Sequence, residues 1–372
     1  MSVDAVGVAL LPGRRISSCA GADGVKDSRA LGQSLGAGMT VTYSDDVKQR
    51  LATRIELSIF TYNRGPFLEN LLKQLAESPF SLCKITVVDN ASTDTTGEVC
   101  QRMAKVIPQF RHVRHRANLG CSANYLRAVE LAASLYTWVL CDDDSFDFSK
   151  AGDVVEKILE GKLDMISVGV HGHNLKGGTL TTTRQLALSQ EYFLWHSFIA
   201  CLIFKTEHFD SNNLVEGYHN ADTLLPHFMF NANMAMKDVP IYISKEKVIT
   251  KGNNFGYAPL QFMVGWLKGC NKIPDRVLRR KCMREVLGGK NFWQNTIFAI
   301  LIETTFRKKE VRKEYSNFAA EARKHTPLLL LKICTLLPLV WAPKAVHRWC
   351  WAKYEAYRAK KQQLPPQFDA DR

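Results

Sequence analysis

The sequence predicts an α/β domain on a mainly parallel sheet, preceded by an N-terminal arm and followed by a mainly helical, basic amphipathic extension. Three observations carry this. Between residues 55 and 142, short apolar runs alternate with helix-length amphipathic segments, the pattern of parallel strands joined by crossover helices. Polar and acidic residues gather where those strands end, the edge along which open α/β sheets bind ligands. Beyond residue 260 the alternation gives way to helical segments that hold all of the excess positive charge.

Residues 1–53 carry scattered Gly and Ser with little periodicity and are read as a loosely attached arm, with at most a short strand. "IELSIFT" (55–61) is a strand, and "PFLENLLKQLAES" (66–78) is a helix with Pro66 in its first turn. "KITVVD" (84–89) is the second strand. Thr95 and Glu98 have the spacing of a capping box opening a helix that runs to about Lys105. "FRHVRH" (110–115) is the third strand, "SANYLRAVELAASL" (122–135) a helix and "TWVLCD" (137–142) the fourth strand. A fifth strand, "KLDMISVGV" (162–170), leads into "HGHNLKGGTLTTTRQ", a Gly/Thr-rich stretch expected to be mobile. "VPIYISKE" is a further strand before the helical part. The domain is bounded at 54–255 and the helical region at 256–372.

The chain has 372 residues, 46% of them apolar, which argues against wholesale disorder. Its formal charge of +13 is localised: from Gln261 to Arg372 there are 23 Lys/Arg and nine Asp/Glu, whereas the first 260 residues are near neutrality. Such asymmetry indicates an anionic partner surface. The ten cysteines form no C-x-x-C pair or tight cluster and sit in apolar runs, as reduced core residues of a cytosolic chain do. The order of acidic, apolar and basic residues at the N-terminus is wrong for a secretory signal.

The most unusual stretch is "YTWVLCDDDSF", in which a buried-strand pattern ends in Asp142, Asp143 and Asp144. Adjacent carboxylates repel, and ionising them costs more where water is partly excluded. A solvated turn is one reading. A calcium loop lacks the D-x-[DN]-x-[DN]-G spacing. A Mg2+ or Mn2+ site holding a diphosphate is the third, because hard cations take one or two carboxylates together with substrate phosphates. The other strand ends favour it: Thr61, Tyr62 and Asn63 with Arg64 at the first, suited to a phosphate, and Asp89 with Asn90 at the second, suited to a base or ribose. Neither G-x-G-x-x-G nor G-x-x-x-x-G-K-[ST] occurs at the first strand, which disfavours a Rossmann dinucleotide site and excludes a P-loop.

In this order "LSIFTYNRGPFLENLLKQL", "ITVVDNASTDTT", "RHRANLGCSANYLRAVELA" and "YTWVLCDDDSF" resemble glycosyltransferase family 2 over roughly residues 55–250. The resemblance implies the GT-A fold, a nucleotide-sugar donor (UDP most commonly) and inversion at the transferred sugar. It places Thr61, Tyr62 and Arg64 at the donor, and Asp89 and Asn90 at the nucleoside with Asp94 closing their loop. Asn118 and Gly120 fall in the N-x-G turn beneath the donor. Asp142 and Asp143 face the sugar-nucleotide, and Asp144 the Mn2+ or Mg2+. Packing for Tyr62 and a turn-stabilising role for Asn90 are the competing readings.

Inversion needs a group to take the acceptor hydroxyl's proton. Relatives often supply it from an E-D pair, which is absent here. "VEGYHNADTLLPH" stands in its place, with Asp222 the best match, Glu216, His219 and His227 behind it, and helix capping its competing role. In the extension, "HTPLLLLKICTLLPLVWAPKAVHRWCWAKYEAYRAKK" interleaves Trp341, Trp349, Trp351, Tyr354 and Tyr357 with cationic residues. This suits the headgroup layer of an anionic membrane better than a spanning helix; an internally packed bundle is the competing reading. No nucleic-acid motif accompanies the charge. The expectation is a metal-dependent hexosyltransferase, peripheral at the cytoplasmic face of the inner membrane, acting on a lipid-linked saccharide of a surface polysaccharide. A catalytically silent nucleotide- or glycan-binding protein of the same fold is the alternative.

Overall fold

The computed structural model describes residues 43–252, 259–305, 311–324 and 332–362. Strands β1 (Ile55–Thr61), β2 (Lys84–Asp89), β3 (Phe110–Arg114) and β4 (Tyr136–Cys141) pair in parallel in the order β3-β2-β1-β4. Helices α2 (Gly65–Ala76), α3 (Thr96–Met103) and α4 (Cys121–Glu130) connect them. The sheet continues through β8 (Leu202–Lys205), antiparallel to its neighbours, to β6 (Met165–Val170) and β9 (Pro240–Thr250). Short strands β5 (Ser145–Phe146) and β7 (Thr179–Thr182) pair antiparallel with β9.

Burial explains the strand sequences. β1, β2 and β4 are covered on both faces, so their residues are almost continuously buried. β3 is the edge, and its Arg111, His112 and Arg114 keep that edge polar.

Several local expectations are corrected. Thr95 makes no side-chain cap; Asp94 Oδ1 instead accepts from Thr96 N at 3.0 Å and Thr96 Oγ1 at 2.5 Å, so the carboxylate one residue earlier opens α3. α4 stops at Glu130 because the buried Glu56 carboxylate, ion-paired to Lys84 at 2.6 Å, accepts from the backbone N–H groups of Ala133 and Ser134. Within the Gly/Thr-rich stretch expected to be mobile, residues 179–182 form β7 and Thr182 caps α6 (Thr183–Ser189) through Gln185 N. At the end of the stretch read as an arm, Asp45–Ala52 form helix α1, with Val47 and Leu51 buried in the core; residues 1–42 lie outside the described residues.

The extension folds as α10 (Pro259–Lys272), α11 (Arg276–Leu287), α12 (Gly289–Thr305), α13 (Val311–Arg323) and a terminal helix, Lys344–Gln362. Leu260, Trp266, Cys282, Phe292 and Phe318 belong to the same hydrophobic core as the sheet. Trp351 packs against Phe298 inside the bundle, so that ring is not available to a membrane. Trp341 and Trp349, 59% and 63% exposed, are on the surface, while the side chains of Tyr354 and Tyr357 lie outside the described residues. Among the described residues, no helix is long and apolar enough to cross a membrane.

Candidate active site

Strand register builds the crevice. Thr61 lies opposite Asp89, and Phe60 opposite Cys141, so the chain leaves β1, β2 and β4 at one level. Asp142, the next residue after β4, thereby meets the end of β1: Thr61 Oγ1 donates to Asp142 Oδ2 at 2.6 Å. Arg64 Nη1 lies 2.9 Å from both Asp142 Oδ1 and Asp143 Oδ2. Asp144 Oδ1 accepts from Gly252 N at 2.9 Å, whereas its buried Oδ2 has no hydrogen-bond partner among the described residues.

Burial is the largest influence on two of these acids. It pushes Asp142 up to about 6, against the opposing pull of Arg64 and the Thr61 hydroxyl. It pushes Asp144 up to about 7, opposed by the Gly252 N–H and reinforced by the charge of Asp143. A buried carboxylate oxygen with an open coordination position is the donor a hard cation needs, and one or two such groups suffice when phosphates complete the shell. The triplet therefore fits a divalent ion, with Asp144 as its protein ligand. Among the described residues, the three-residue cluster whose ligand atoms come within 4.8 Å of one another is Asp164, Glu207 and His208. It sits at the opposite sheet edge, where β6 begins and β8 ends, and His208 there simply hydrogen-bonds Asp164 at 2.7 Å.

The loops around the triplet are stitched together. Asn63, at a positive φ of 52°, accepts through Oδ1 from Thr93 N at 2.7 Å and donates its own N–H to Ser92 Oγ at 2.9 Å. Asp94 Oδ2 accepts from Gly65 N at 3.0 Å; a Cβ on Gly65 would come within 2.4 Å of Thr95 Oγ1, so this approach requires glycine. Asn90 donates to Asn118 Oδ1 at 2.8 Å and accepts from Leu119 N at 2.8 Å. Asn118 Oδ1 also takes the N–H of Gly120, whose φ is +85°. Asn90 and Asn118 thus shape the turn beneath the crevice. Tyr62 is 42% exposed rather than packed.

Asp89 is fully buried. Burial alone would raise its carboxyl, but the neighbouring His112 ring and the hydrogen bond from Ser92, whose N lies 2.8 Å from Oδ1, hold it below the usual range. Oδ2 lies 3.4 Å from both His112 Nε2 and Arg114 Nε. A surface cleft of about 370 Å³ opens here, lined by Ser92, Asp94, Glu98, His112 and Arg114 among others.

Asp222 lies in a 3-10 turn (Ala221–Thr223) packed against α4 and α10. Its side chain is 63% exposed and paired with Lys268 Nζ at 2.5 Å. It caps no helix: α9 (Phe228–Lys237) begins after His227 without a side-chain cap. His227 is buried, bonded to Ser197 O at 2.8 Å and driven down to about 4 by burial, and Glu216 accepts from Asn233. His219 is exposed.

Sequence reasoning missed Ser92, Asn124, His112, Arg114 and Gly252. Asn124 Nδ2 donates to Thr61 O at 3.1 Å and Val88 O at 3.2 Å, locking two strand ends together. The alternation in "FRHVRH" does place His112 and Arg114 on one strand face, a legible signal. Nothing near Gly252 marks it.

A sheet of this order, with a carboxylate triplet closing β4 at the ligand edge, defines the GT-A class of nucleotide-sugar-dependent transferases. The comparisons carry this to a family. Residues 57–215 match the model of Glycosyl transferase family 2, and the chain carries a glycosyltransferase domain of that family. It is similar to the abequosyltransferase RfbV of Salmonella typhimurium, 26% identical over 304 residues, which are 72% of this chain and 89% of the relative. TarS 1–349 of S. aureus, solved with UDP, superposes with a TM-score of 0.53 at 16% identity over 85% of this chain and 94% of TarS 1–349. The mannosyltransferase PcManGT from Pyrobaculum calidifontis, solved with GDP-Man and Mn2+, gives 0.50 at 16% identity over 76% of this chain and 86% of its own.

Proposed function

We propose that this transferase moves a sugar, with inversion, from a nucleotide-sugar of the UDP type to a lipid-linked saccharide at a membrane surface, in the assembly of a bacterial surface polysaccharide. The observation that carries the reading is the buried, unpartnered Oδ2 of Asp144 beside Asp142 and Asp143 at the end of β4. A bound Mn2+ or Mg2+ would be held by Asp144 and would stabilise charge on the departing diphosphate. Asp89 receives the nucleoside end; Asn90 and Asn118 hold the turn under the donor; Thr61 fixes Asp142 toward the sugar-nucleotide, and Tyr62 borders it. Asp222 takes the acceptor hydroxyl's proton as its oxygen bonds to the anomeric carbon. The bond from that carbon to the diphosphate breaks on the opposite face, and the nucleoside diphosphate leaves with the electron pair.

Residues 256–372 bring the acceptor. The exposed Leu337, Trp341, Val346 and Trp349 stand beside Lys344, Arg348 and Lys353, a surface that buries rings among headgroups while cations meet anionic lipid. This surface supports a peripheral position, in our reading on the cytoplasmic face of the inner membrane. The similarity to an abequosyltransferase supports the polysaccharide context. A panel of UDP-, GDP-, CDP- and dTDP-sugars, with and without Mn2+ and with lipid-linked acceptor, tests the reading by released nucleotide. Tight UDP binding with no release from any donor would support the silent binding protein instead.

A further inference from the structure

We propose that Arg64 is a built-in counter-cation that occupies the charge slot of the triplet before donor binds and then transfers to the donor's diphosphate, so that metal enters only with the nucleotide. This deepens the proposed function, resting on the triplet as a metal–diphosphate site. The geometry is specific. One guanidinium nitrogen, Nη1, lies 2.9 Å from carboxylates of two consecutive residues, Asp142 and Asp143, and so shares its single positive charge between two of the triplet's three acids. A divalent ion approaching this group without phosphates meets a fixed positive charge already in place. Like charges a few ångströms apart in a partly dry crevice repel strongly.

The surroundings allow the side chain, and only the side chain, to move. Asn63 and Gly65, on either side of Arg64, are each hydrogen-bonded to the Ser92–Asp94 loop, through Ser92 Oγ and Asp94 Oδ2. The Arg64 backbone is therefore held at the start of α2. Its side chain is partly exposed, 27%, so a solvent path is open to it. Asp142 retains the Thr61 hydroxyl bond when the guanidinium leaves, and so remains in position. At the start of α2 the Gly65 N–H is taken by Asp94 and Pro66 carries none, so Arg64 is the group there that a diphosphate attracts. A planar, permanently charged fork can serve carboxylates in one state and phosphate in the other; a neutral residue can serve neither.

The experiment measures Mn2+ binding by calorimetry, and by the paramagnetic resonance signal of free Mn2+, with and without UDP, for the wild type, Arg64→Gln and Arg64→Lys. Without nucleotide, Arg64→Gln should bind Mn2+ roughly ten- to a hundredfold more tightly than the wild type, and Arg64→Lys, which keeps a cation, should stay near the wild type. With Mn2+ present, UDP should bind Arg64→Gln about tenfold or more weakly, because the diphosphate loses its partner. Unchanged thermal melting and far-ultraviolet dichroism establish that the variants fold. If Arg64→Gln gains no Mn2+ affinity without nucleotide while wild type still binds Mn2+ with UDP, the counter-cation role is overturned and the proposed function stands. If no Mn2+ binds to any of the proteins even with UDP, the metal reading and this inference fall together.

Discussion

Asp144→Asn should separate stability from function. Burial raises the Asp144 carboxyl to about 7 in the folded protein, whereas the unfolded chain releases that proton near 3.9. Between those values the folded form binds more protons, so Asp144 makes the fold lose stability as pH rises through the window, after which the loss is constant. The span of about three pH units corresponds to at most ~4 kcal/mol, and an effective dielectric above that of a dry interior brings it toward about 1–3 kcal/mol. Asn keeps an acceptor for Gly252 N but has no proton to lose. Urea midpoints measured from pH 5 to 8.5 should therefore decline less steeply in Asp144→Asn than in wild type. Metal-supported UDP binding should vanish in the variant. In the wild type it should weaken about tenfold from pH 8 to pH 6, because the ion must displace a proton that an acid titrating near 7 holds at the lower value. Identical pH slopes for the two proteins would refute the buried-acid argument, and unchanged Mn2+-dependent binding in the variant would refute the metal role.

Asp222→Asn should leave UDP affinity intact and lower turnover by about 10²-fold or more, as loss of a positioned base does; turnover at the wild-type rate would move the role to Glu216 or His219. Asp89→Asn, which keeps an acceptor for Ser92 N but loses the charge facing His112 and Arg114, should weaken UDP about ten- to a hundredfold in calorimetry without abolishing metal binding. Unaltered affinity would remove Asp89 from the nucleoside end. Trp341→Ser with Trp349→Ser should reduce sedimentation with phosphatidylglycerol vesicles roughly tenfold or more, each half-exposed ring contributing about 1–2 kcal/mol on burial. Added salt should weaken the wild type further, and equal pelleting of the two proteins would place the contact elsewhere.

The parallel half of the sheet was legible because a strand covered on both faces is mostly apolar, and β1, β2 and β4 are buried along nearly their whole length with only a few polar residues such as Glu56, Thr86 and Asp89 among them. The carboxylate triplet was legible for the opposite reason: three acids following such a strand have no packing explanation. What escaped was long-range and mediated by backbone. Glu56 ends α4 by reaching N–H groups more than seventy residues away, and Gly252 binds Asp144 across 108 residues through a backbone N–H that every residue type but proline carries. Thr95 and Glu98 fit a capping box, yet Asp94 is the stronger acceptor one position earlier and takes the first N–H of the helix together with the Thr96 hydroxyl. Local pattern cannot rank two competing caps.

The helical extension illustrates the same limit and changes how its function is tested. By composition it separates cleanly from the near-neutral α/β part, which invites treating it as a removable anchor. Its first helix nevertheless packs against the turn that carries the proposed base. Gly265 of α10 lies so close to Thr223 O that a Cβ there would come within 1.8 Å, and Lys268 of the same helix pairs with Asp222. Lys272 reaches Asn220 Oδ1 at 2.6 Å, so α10 grips both ends of the turn that presents the proposed base. Further along, Tyr315 Oη donates to Ile333 O, and Ile333, Leu336 and Val340 lie in the common core. Deleting residues 325–372 would expose that core, so loss of vesicle binding in the truncated chain would not distinguish a missing anchor from a damaged fold. Trp341 and Trp349 can be changed without disturbing any of these contacts, and they are the side chains on which the membrane question can be decided.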